Sequence, residues 1–326
     1  MPTADRFRRF AETEARGESP CYEEWALGVA ADREVIALLD ALPEPKRQPN
    51  LVFTAARYTG VPAGRYPEFR EALIAEWPTI SEVLLARRTQ TNEPGRCAVL
   101  LPLLAALPAP LALLEVGASA GLCLFPDRYA YRYDDRAVLG TSGVVLDCAT
   151  TGPVPFPAAL PEVVWRAGID LNPLDIDDPE DVRWLETLIW PEHDHRRARL
   201  AAALEVVRAE RPRIVTGDLN ERVAALAAEA PRDATLVIFH SAVLAYLSPS
   251  ERARFAATVR SLDAHWIANE GAGALPVTAP PSPRPGTAMF LVTIDSEPVA
   301  HAAGHGHTLH WLTRGTGRTT PGSPPP

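Results

Sequence analysis

The stretch from Leu111 to Phe125, LALLEVGASAGLCLF, limits the fold of this chain more than any other segment. It places an apolar run, a turn of small residues and a second apolar run in direct succession. That order is typical of a buried strand that leads through a tight turn into a helix. Such a turn exposes backbone N–H groups at a helix N-terminus, and its missing side chains let a ligand approach the backbone.

Two kinds of enzyme use a turn of this shape, and a third interpretation is packing alone. Read as E-x-G-x-x-x-G, with Glu115, Gly117 and Gly121, the turn is similar to the first motif of class I S-adenosylmethionine methyltransferases. Read as G-x-S-x-G, it matches the nucleophile elbow of α/β-hydrolases, in which Ser119 would be the nucleophile. The turn by itself does not choose among the three.

The order of patterns along the chain predicts the fold class. Residues 1–107 predict several short helices separated by prolines, without a convincing strand. From 111 to 270, apolar runs alternate with helical patterns, which favours a mostly parallel sheet with helices on both faces. A Pro/Gly-rich loop at 271–288 precedes alternating runs that predict antiparallel C-terminal strands. The predicted class is therefore α/β, with a Rossmann-like sheet behind an N-terminal helical region.

These patterns divide the chain into a helical region at 1–107, an α/β domain at 108–314 and a tail at 315–326. The tail is rich in Gly, Thr and Pro, and we expect it to be disordered. Residues 126–161 are irregular and predict an insertion in the α/β domain, within which 143–147 is a candidate strand.

Charge and composition narrow the class of partner. The formal net charge of −9 argues against a broad nucleic-acid or anionic-membrane surface. No apolar run is long enough to span a bilayer, and the N-terminus lacks the apolar core of a signal peptide. The cysteines form no C-x-x-C pair, and the histidines between His301 and His310 lack carboxylate or cysteine partners, so no metal is predicted. We expect a cytoplasmic protein with reduced thiols that acts on a small molecule.

Polar residues at the predicted strand ends are the candidate site, since ligands of open parallel sheets bind beyond the carboxyl ends of the strands. The amides of the Gly117–Gly121 turn could hold a carboxylate or phosphate. Asp170, at the end of the second strand, could accept both hydroxyls of a ribose, and Asp218, at the end of the third, could accept an adenine amino group. This ordered set predicts a nucleoside ligand.

In their order, LLEVGASAG, GIDLNP, VTGDL and VIFHSAVLAYL resemble the class I S-adenosylmethionine methyltransferases. Together with TQTNEPGR and NEG, they more closely resemble a family of uncharacterised proteins of high-GC bacteria, known as a domain of unknown function. The resemblance covers most of the chain and implies a methyltransferase-type sheet that binds S-adenosylmethionine. It implies that Asp170 binds the ribose and that Asp218 and Leu219 bind the adenine. The residues that it implies at the methionine end are Glu115, Gly117, Ala118, Ser119 and Gly121.

His240 is the main candidate for chemistry, because the end of the fourth strand would face the transferred methyl group and a neutral imidazole can act as a general base. The alternative is a hydrogen-bonded histidine that holds the turn to Ser241. Glu270, at the end of the fifth strand, is the second catalytic candidate, and it or Asn269 could instead cap the strand.

The segment TQTNEPGR, residues 89–96, is either a simple loop or part of the site. Its polar side chains, Asn92, Glu93 and Arg96, could line a cleft, since loops often carry binding residues.

A methyltransferase with a small-molecule acceptor is the leading hypothesis. A serine esterase would need Ser119 with His240 or His307 and an acid such as Asp218 or Asp295. The helical region before the turn, which has no HGGG-like segment, weakens that alternative. A non-catalytic nucleotide-binding or scaffold protein is the third hypothesis.

Overall fold

A computed structural model describes residues 1–271, 273–275, 277–284 and 287–313. Within them, the strands are β1 (Leu111–Val116), β2 (Ala130–Tyr133), β3 (Val145–Thr151), β4 (Val163–Asp170), β5 (Arg213–Thr216), β6 (Thr235–Ser241), β7 (His265–Gly271), β8 (Met289–Ile294), β9 (Glu297–Ala303) and β10 (Thr308–Trp311). The helices are α1 (Thr3–Phe10), α2 (Pro20–Ala31), α3 (Arg33–Asp40), α4 (Pro49–Tyr58), α5 (Tyr66–Ala75), α6 (Trp77–Ala86), α7 (Cys97–Leu104), α8 (Pro179–Thr187), α9 (Asp194–Ala209), α10 (Leu219–Ala227) and α11 (Pro249–Arg260).

The described strands form one sheet in the order β2-β3-β10-β9-β8-β7-β6-β1-β4-β5. The five strands β1, β4, β5, β6 and β7 are parallel to one another. The strands β8, β9 and β10 then follow with antiparallel pairing. The predicted α/β class, with a mostly parallel sheet and preceding helices, is confirmed.

The segment 126–161 supplies β2 and β3, which lie far from β1 although they follow it in the chain. They pair beyond β10 at one edge of the sheet, through the parallel contact of β10 with β3. Tyr129, directly before β2, and the two tyrosines of β2 are buried. Their hydroxyls donate to backbone carbonyls: Tyr129 to Leu122, Tyr131 to Pro126 and Tyr133 to Ala98. These bonds explain the tyrosine-rich composition of the segment, because a buried hydroxyl needs a partner.

Two hydrophobic clusters cover the two faces of the sheet. One joins the N-terminal helices to the sheet and contains Trp25 and Phe53 together with Leu113 and Val237 of the strands. The other lies under α10 and α11. The N-terminal helices therefore pack against the sheet, which lets their side chains reach its carboxyl edge.

The Pro/Gly-rich segment after β7 covers part of the second face, where Ala274 and Leu275 are buried against it. The predicted tail, 315–326, lies outside the described residues. Among the described helices, none combines the length and the apolar character needed to cross a bilayer.

Candidate functional site

A cleft of about 710 Å³ opens at the carboxyl ends of the parallel strands. The chain runs from β1 outward to β4 and β5 on one side, and later to β6 and β7 on the other. Strand order therefore reverses between β1 and β6, and such a reversal leaves a crevice in which ligands of open α/β sheets bind. The volume lies within the range of roughly 300–1,000 Å³ that is usual for small-molecule sites.

Most of the predicted cofactor-binding residues line this cleft. Those on its wall are Gly117, Ser119, Asp170, Asp218 and Leu219. The others, Glu115, Ala118 and Gly121, are not among the described residues of the wall. The sheet thus brings together the ends of β1, β4 and β5, as their order in the chain predicts.

The turn after β1 differs from the prediction in one respect. The second apolar run does not form an α-helix, because Leu122–Leu124 make a single 3₁₀ turn. Pro126 explains the early end, since a proline disfavours helical backbone in the residue before it and lacks an N–H. The Asn92 side chain accepts the Leu122 N–H at 2.8 Å. The predicted helix N-terminus is therefore absent from this described turn.

The turn is also too tight for larger side chains. Gly117 and Gly121 have φ angles of +74° and +77°. A Cβ atom on Gly117 would overlap the Val243 side chain, which follows β6. Glycine at 117 is therefore required both by its backbone conformation and by the contact between the β1 and β6 turns.

Asp170 joins the second strand to this turn. Its Oδ2 atom accepts the Ser119 N–H at 2.9 Å, and its Oδ1 atom accepts the Asn172 N–H at 2.8 Å. A carboxylate oxygen can accept more than one hydrogen bond. Both oxygens can therefore accept ligand hydroxyls while they hold the turn.

Asp218 caps helix α10 and lies at the end of β5. Its Oδ1 atom accepts the Asn220 N–H at 2.8 Å. The N–H of Leu219, the first helical residue, has no acceptor in the part of the chain that the structure describes. A flat heterocycle with a donor beside an acceptor could bind to this carboxylate and N–H together.

Two large side chains of the cleft are unusually exposed. Leu171, directly after Asp170, is 52% exposed, and Tyr246, on the opposite wall, is 60% exposed. The Tyr246 hydroxyl lies 3.0 Å from Thr89 Oγ1. Exposed apolar surface in a cleft with polar residues is typical of a binding site.

His240 and Glu270 lie together beneath the cleft and are both 0% exposed. Nδ1 of His240 is 2.6 Å from Glu270 Oε1, and Trp266 Nε1 donates to His240 Nε2 at 2.9 Å. Glu270 Oε1 also accepts the N–H groups of Val243 and Leu244. Both ring nitrogens are therefore engaged, and the pair holds the turn that follows β6.

Ser119 has no contact with an imidazole within the described residues. Its hydroxyl donates to the Gln90 carbonyl at 3.1 Å, and the residue is 3% exposed. Because Ser119 has no hydrogen bond to an imidazole among the described residues and His240 has both nitrogens engaged, the geometry of an activated serine is not present there.

We therefore expect that a fluorophosphonate probe does not label Ser119. Among the described residues, the serine hydroxyl donates to a backbone carbonyl and not to a base, so its nucleophilicity should be that of an ordinary hydroxyl. Mass spectrometry of the probe-treated protein measures this directly, with a serine esterase as positive control for the probe. Stoichiometric labelling of Ser119 would instead support the esterase alternative.

The segment 89–96 forms one wall of the cleft. Thr89, Gln90, Thr91 and Arg96 line it. Glu93 is buried below, where Arg196 Nε donates to its Oε2 atom at 2.6 Å and Gly95 N–H to its Oε1 atom at 2.9 Å. Of the three polar side chains that the sequence analysis named in this segment, Arg96 lines the cleft, whereas Asn92 and Glu93 support the wall from behind.

His305 lines the cleft, whereas the sequence analysis considered it only as a member of the C-terminal histidine group. It lies in the turn between β9 and β10, which docks on the 94–96 turn. A Cβ atom on Gly306 would overlap the Gly95 carbonyl, so glycine is needed at this contact. Burial, followed by the charges of Arg196 and Arg96, holds the pKa of His305 well below its usual range. The imidazole is therefore uncharged at neutral pH.

Over residues 4–311, the sequence matches the model of a family described as "Uncharacterized protein conserved in bacteria (DUF2332)". The chain belongs to this family. Its membership confirms the predicted resemblance to an uncharacterised bacterial family. No curated protein matches the sequence significantly.

Glu115 of this family member lies behind the turn and is 4% exposed. Its Oε2 atom has no hydrogen-bond partner among the described residues. Burial, followed by the nearby Cys123 thiol, raises the pKa of Glu115 well above its ordinary value of 4.5. The uncharged form of the carboxyl group is therefore favoured in the folded protein.

Relative to the wild-type protein, Glu115→Gln should be more stabilising at about pH 8 than at about pH 5. Above about pH 4.5, the unfolded chain releases a proton that the folded protein retains, so wild-type stability falls as pH rises toward the folded pKa. The stability of the variant does not fall in this way, because glutamine does not titrate. The difference in free energy of unfolding between variant and wild type should therefore grow by up to about 1.4 kcal/mol per pH unit. Urea unfolding of both proteins at both pH values measures this difference, and a constant difference would contradict a raised pKa of Glu115.

Proposed function

We propose that this protein is an S-adenosylmethionine-dependent methyltransferase with a small-molecule acceptor. One observation supports it most strongly. The Gly117–Ser119 turn, Asp170 and Asp218 follow three adjacent parallel strands and meet in one cleft, beside the reversal of strand order. This is the position and the order in which a sheet of this kind binds a nucleoside.

The described residues fit the nucleoside part of the cofactor well. Asp170 retains acceptor capacity for two ribose hydroxyls, and Asp218 with the Leu219 N–H could pair with the edge of an adenine. Leu171, 52% exposed, offers an apolar surface to the base. The fit is poorer at the methionine end, because Glu115 is buried, has a raised pKa and does not line the cleft.

S-adenosylmethionine, when bound, would supply an electrophilic methyl group. The chain's own contribution would be to orient the acceptor and to receive its proton. His305 suits the second role, since its uncharged imidazole lines the cleft and can accept a proton from a hydroxyl or amine. His240 would then act as a positioning residue through Glu270 and the turn after β6.

Isothermal titration of the folded protein with S-adenosylmethionine and S-adenosylhomocysteine tests this proposal. We expect saturable heat at one site per chain for both ligands. No heat from either ligand, with circular dichroism showing folded protein, would refute it. A non-catalytic nucleoside-binding protein would bind both ligands too, but would transfer no labelled methyl group to any acceptor.

A further inference from the structure

Three arginines in the described part of the chain are almost fully buried: Arg96, Arg166 and Arg196, at 8%, 9% and 4% exposure. Arg166 lies 2.8 Å from Asp127 and 3.0 Å from Glu210. Arg196 lies 2.6 Å from Glu93. Arg96 differs, because no described carboxylate lies within ion-pair distance of it.

The described partners of Arg96 are two backbone carbonyls. Nε donates to Gly304 O at 3.0 Å, and Nη1 donates to Ser241 O over a long 3.4 Å. A guanidinium has five N–H donors, so most of its donors have no acceptor among the described residues. Burying a charge without a partner is unfavourable. Because Arg96 lines the cleft, a ligand can supply the missing negative charge.

Ser241 adds a second donor at this place. Its Oγ atom accepts a hydrogen bond from Asn269 Nδ2 at 3.3 Å, and Asn269 is 0% exposed. The hydroxyl hydrogen of Ser241, which also lines the cleft, is then free to donate. A charged fork and a hydroxyl donor together are suited to a carboxylate or a phosphate.

The position of this pair separates it from the nucleoside end. Ser241 ends β6, whereas Asp218 follows β5, and β4 and β1 lie between those strands. Three strand spacings correspond to about 14 Å along the cleft. His305, the candidate base, belongs to the turn that Arg96 contacts through Gly304. The donors and the base therefore lie at the same end.

We propose that Arg96 and Ser241 bind the carboxylate or phosphate group of the methyl acceptor, so that the acceptor is a small organic acid. This proposal rests on the proposed function. The same chemistry has one other source in a methyltransferase, the carboxylate of the cofactor's methionine group, and the experiment distinguishes the two.

The first part of the experiment measures anion binding. Benzoate and phenyl phosphate are titrated into protein saturated with S-adenosylhomocysteine, and benzamide serves as the uncharged analogue. We expect at least one anion to bind about tenfold or more tightly than benzamide, and Arg96→Met to lose that preference. Equal binding of anions and benzamide to the wild-type protein would overturn the proposal.

Two further variants distinguish specific binding of the anion by Arg96 from a general effect of positive charge in the cleft. Arg88→Met removes a second arginine of the same cleft, and we expect it to change anion affinity by no more than about threefold. Arg96→Lys keeps the charge but not the planar guanidinium with its paired N–H donors, so it should weaken anion binding by about tenfold. It also replaces Arg96→Met in this test if that variant does not fold. Equal losses in the Arg88 and Arg96 variants, or unchanged binding in Arg96→Lys, would overturn the proposal.

The second part identifies the source of the anion. S-adenosylhomocysteine carries the amino-acid carboxylate, whereas 5′-methylthioadenosine lacks it. We expect Arg96→Met to bind both nucleosides as the wild-type protein does. Selective loss of S-adenosylhomocysteine would assign Arg96 to the cofactor and overturn the proposal. Arg96-dependent anion binding by a protein that binds neither nucleoside would refute the proposed function while leaving the anion site in place.

Discussion

Asp170→Ala is expected to lower the affinity for S-adenosylhomocysteine by about 100-fold or more. The carboxylate would accept two ribose hydroxyls, and a hydrogen bond to a charged group contributes about 1.5–3 kcal/mol. The change also removes the acceptor of the Ser119 N–H, which holds the turn against the end of β4. Isothermal titration of wild type and variant, each checked for folding by thermal unfolding, measures the loss.

Asp233→Ala is the matched control for this experiment. Asp233 is an exposed acid at the opposite end of the sheet, just before β6, with no ion pair among the described residues. Its removal lowers the net negative charge equally but should leave affinity unchanged. If Asp170→Ala binds S-adenosylhomocysteine as tightly as the control does, the ribose assignment is wrong.

Glu270→Ala is expected to destabilise the protein by about 4 kcal/mol. One oxygen of Glu270 accepts from His240 and from the N–H groups of Val243 and Leu244, all in a buried setting. Removing the carboxylate leaves these donors unpaired, and each buried unpaired group costs about 1–3 kcal/mol. Urea unfolding with the slope held in common measures the change.

Two further variants serve as controls for the stability of Glu270→Ala. Glu297→Ala, at the exposed start of β9, should change the free energy of unfolding by less than about 0.5 kcal/mol. Glu270→Gln keeps an acceptor of the same shape and should lose less than half of what alanine loses. A Glu270→Ala protein with wild-type stability would contradict the positioning role and leave catalysis as the explanation for the pair.

Much of the fold could be predicted because its information is local. The apolar runs before Asp170, Asp218 and His240 form strands, of which β4 and β6 are largely buried and β5 is the partly exposed edge strand. An alternating order of strands and helices favours parallel pairing. Since parallel strands end at one edge, Asp170 and Asp218 were expected to meet the Gly117 turn there, and they do.

The rest depends on contacts between distant segments. Whether a residue at a strand end faces the cleft or the helix layer is decided by side-chain alternation and by the neighbouring turn, so His240 could not be placed under α11 from sequence alone. His305 reaches the cleft because two glycine-containing turns that are distant in the sequence, 94–96 and 304–306, meet. The pairing of β3 with β10 likewise depends on tertiary contacts, and no local sequence pattern predicts it.

The docking of the 304–306 turn on the 94–96 turn has a consequence for biosynthesis. Arg96 and Gly304 are 208 residues apart, and their contact closes one wall of the cleft. During translation, the strands that end at Asp170, Asp218 and Ser241 emerge long before the hairpin of β9 and β10 does. In a nascent chain, the ends of β1, β4 and β5 therefore leave the ribosome before the 304–306 turn that completes the wall, so the complete cleft can form only after the hairpin of β9 and β10 has emerged.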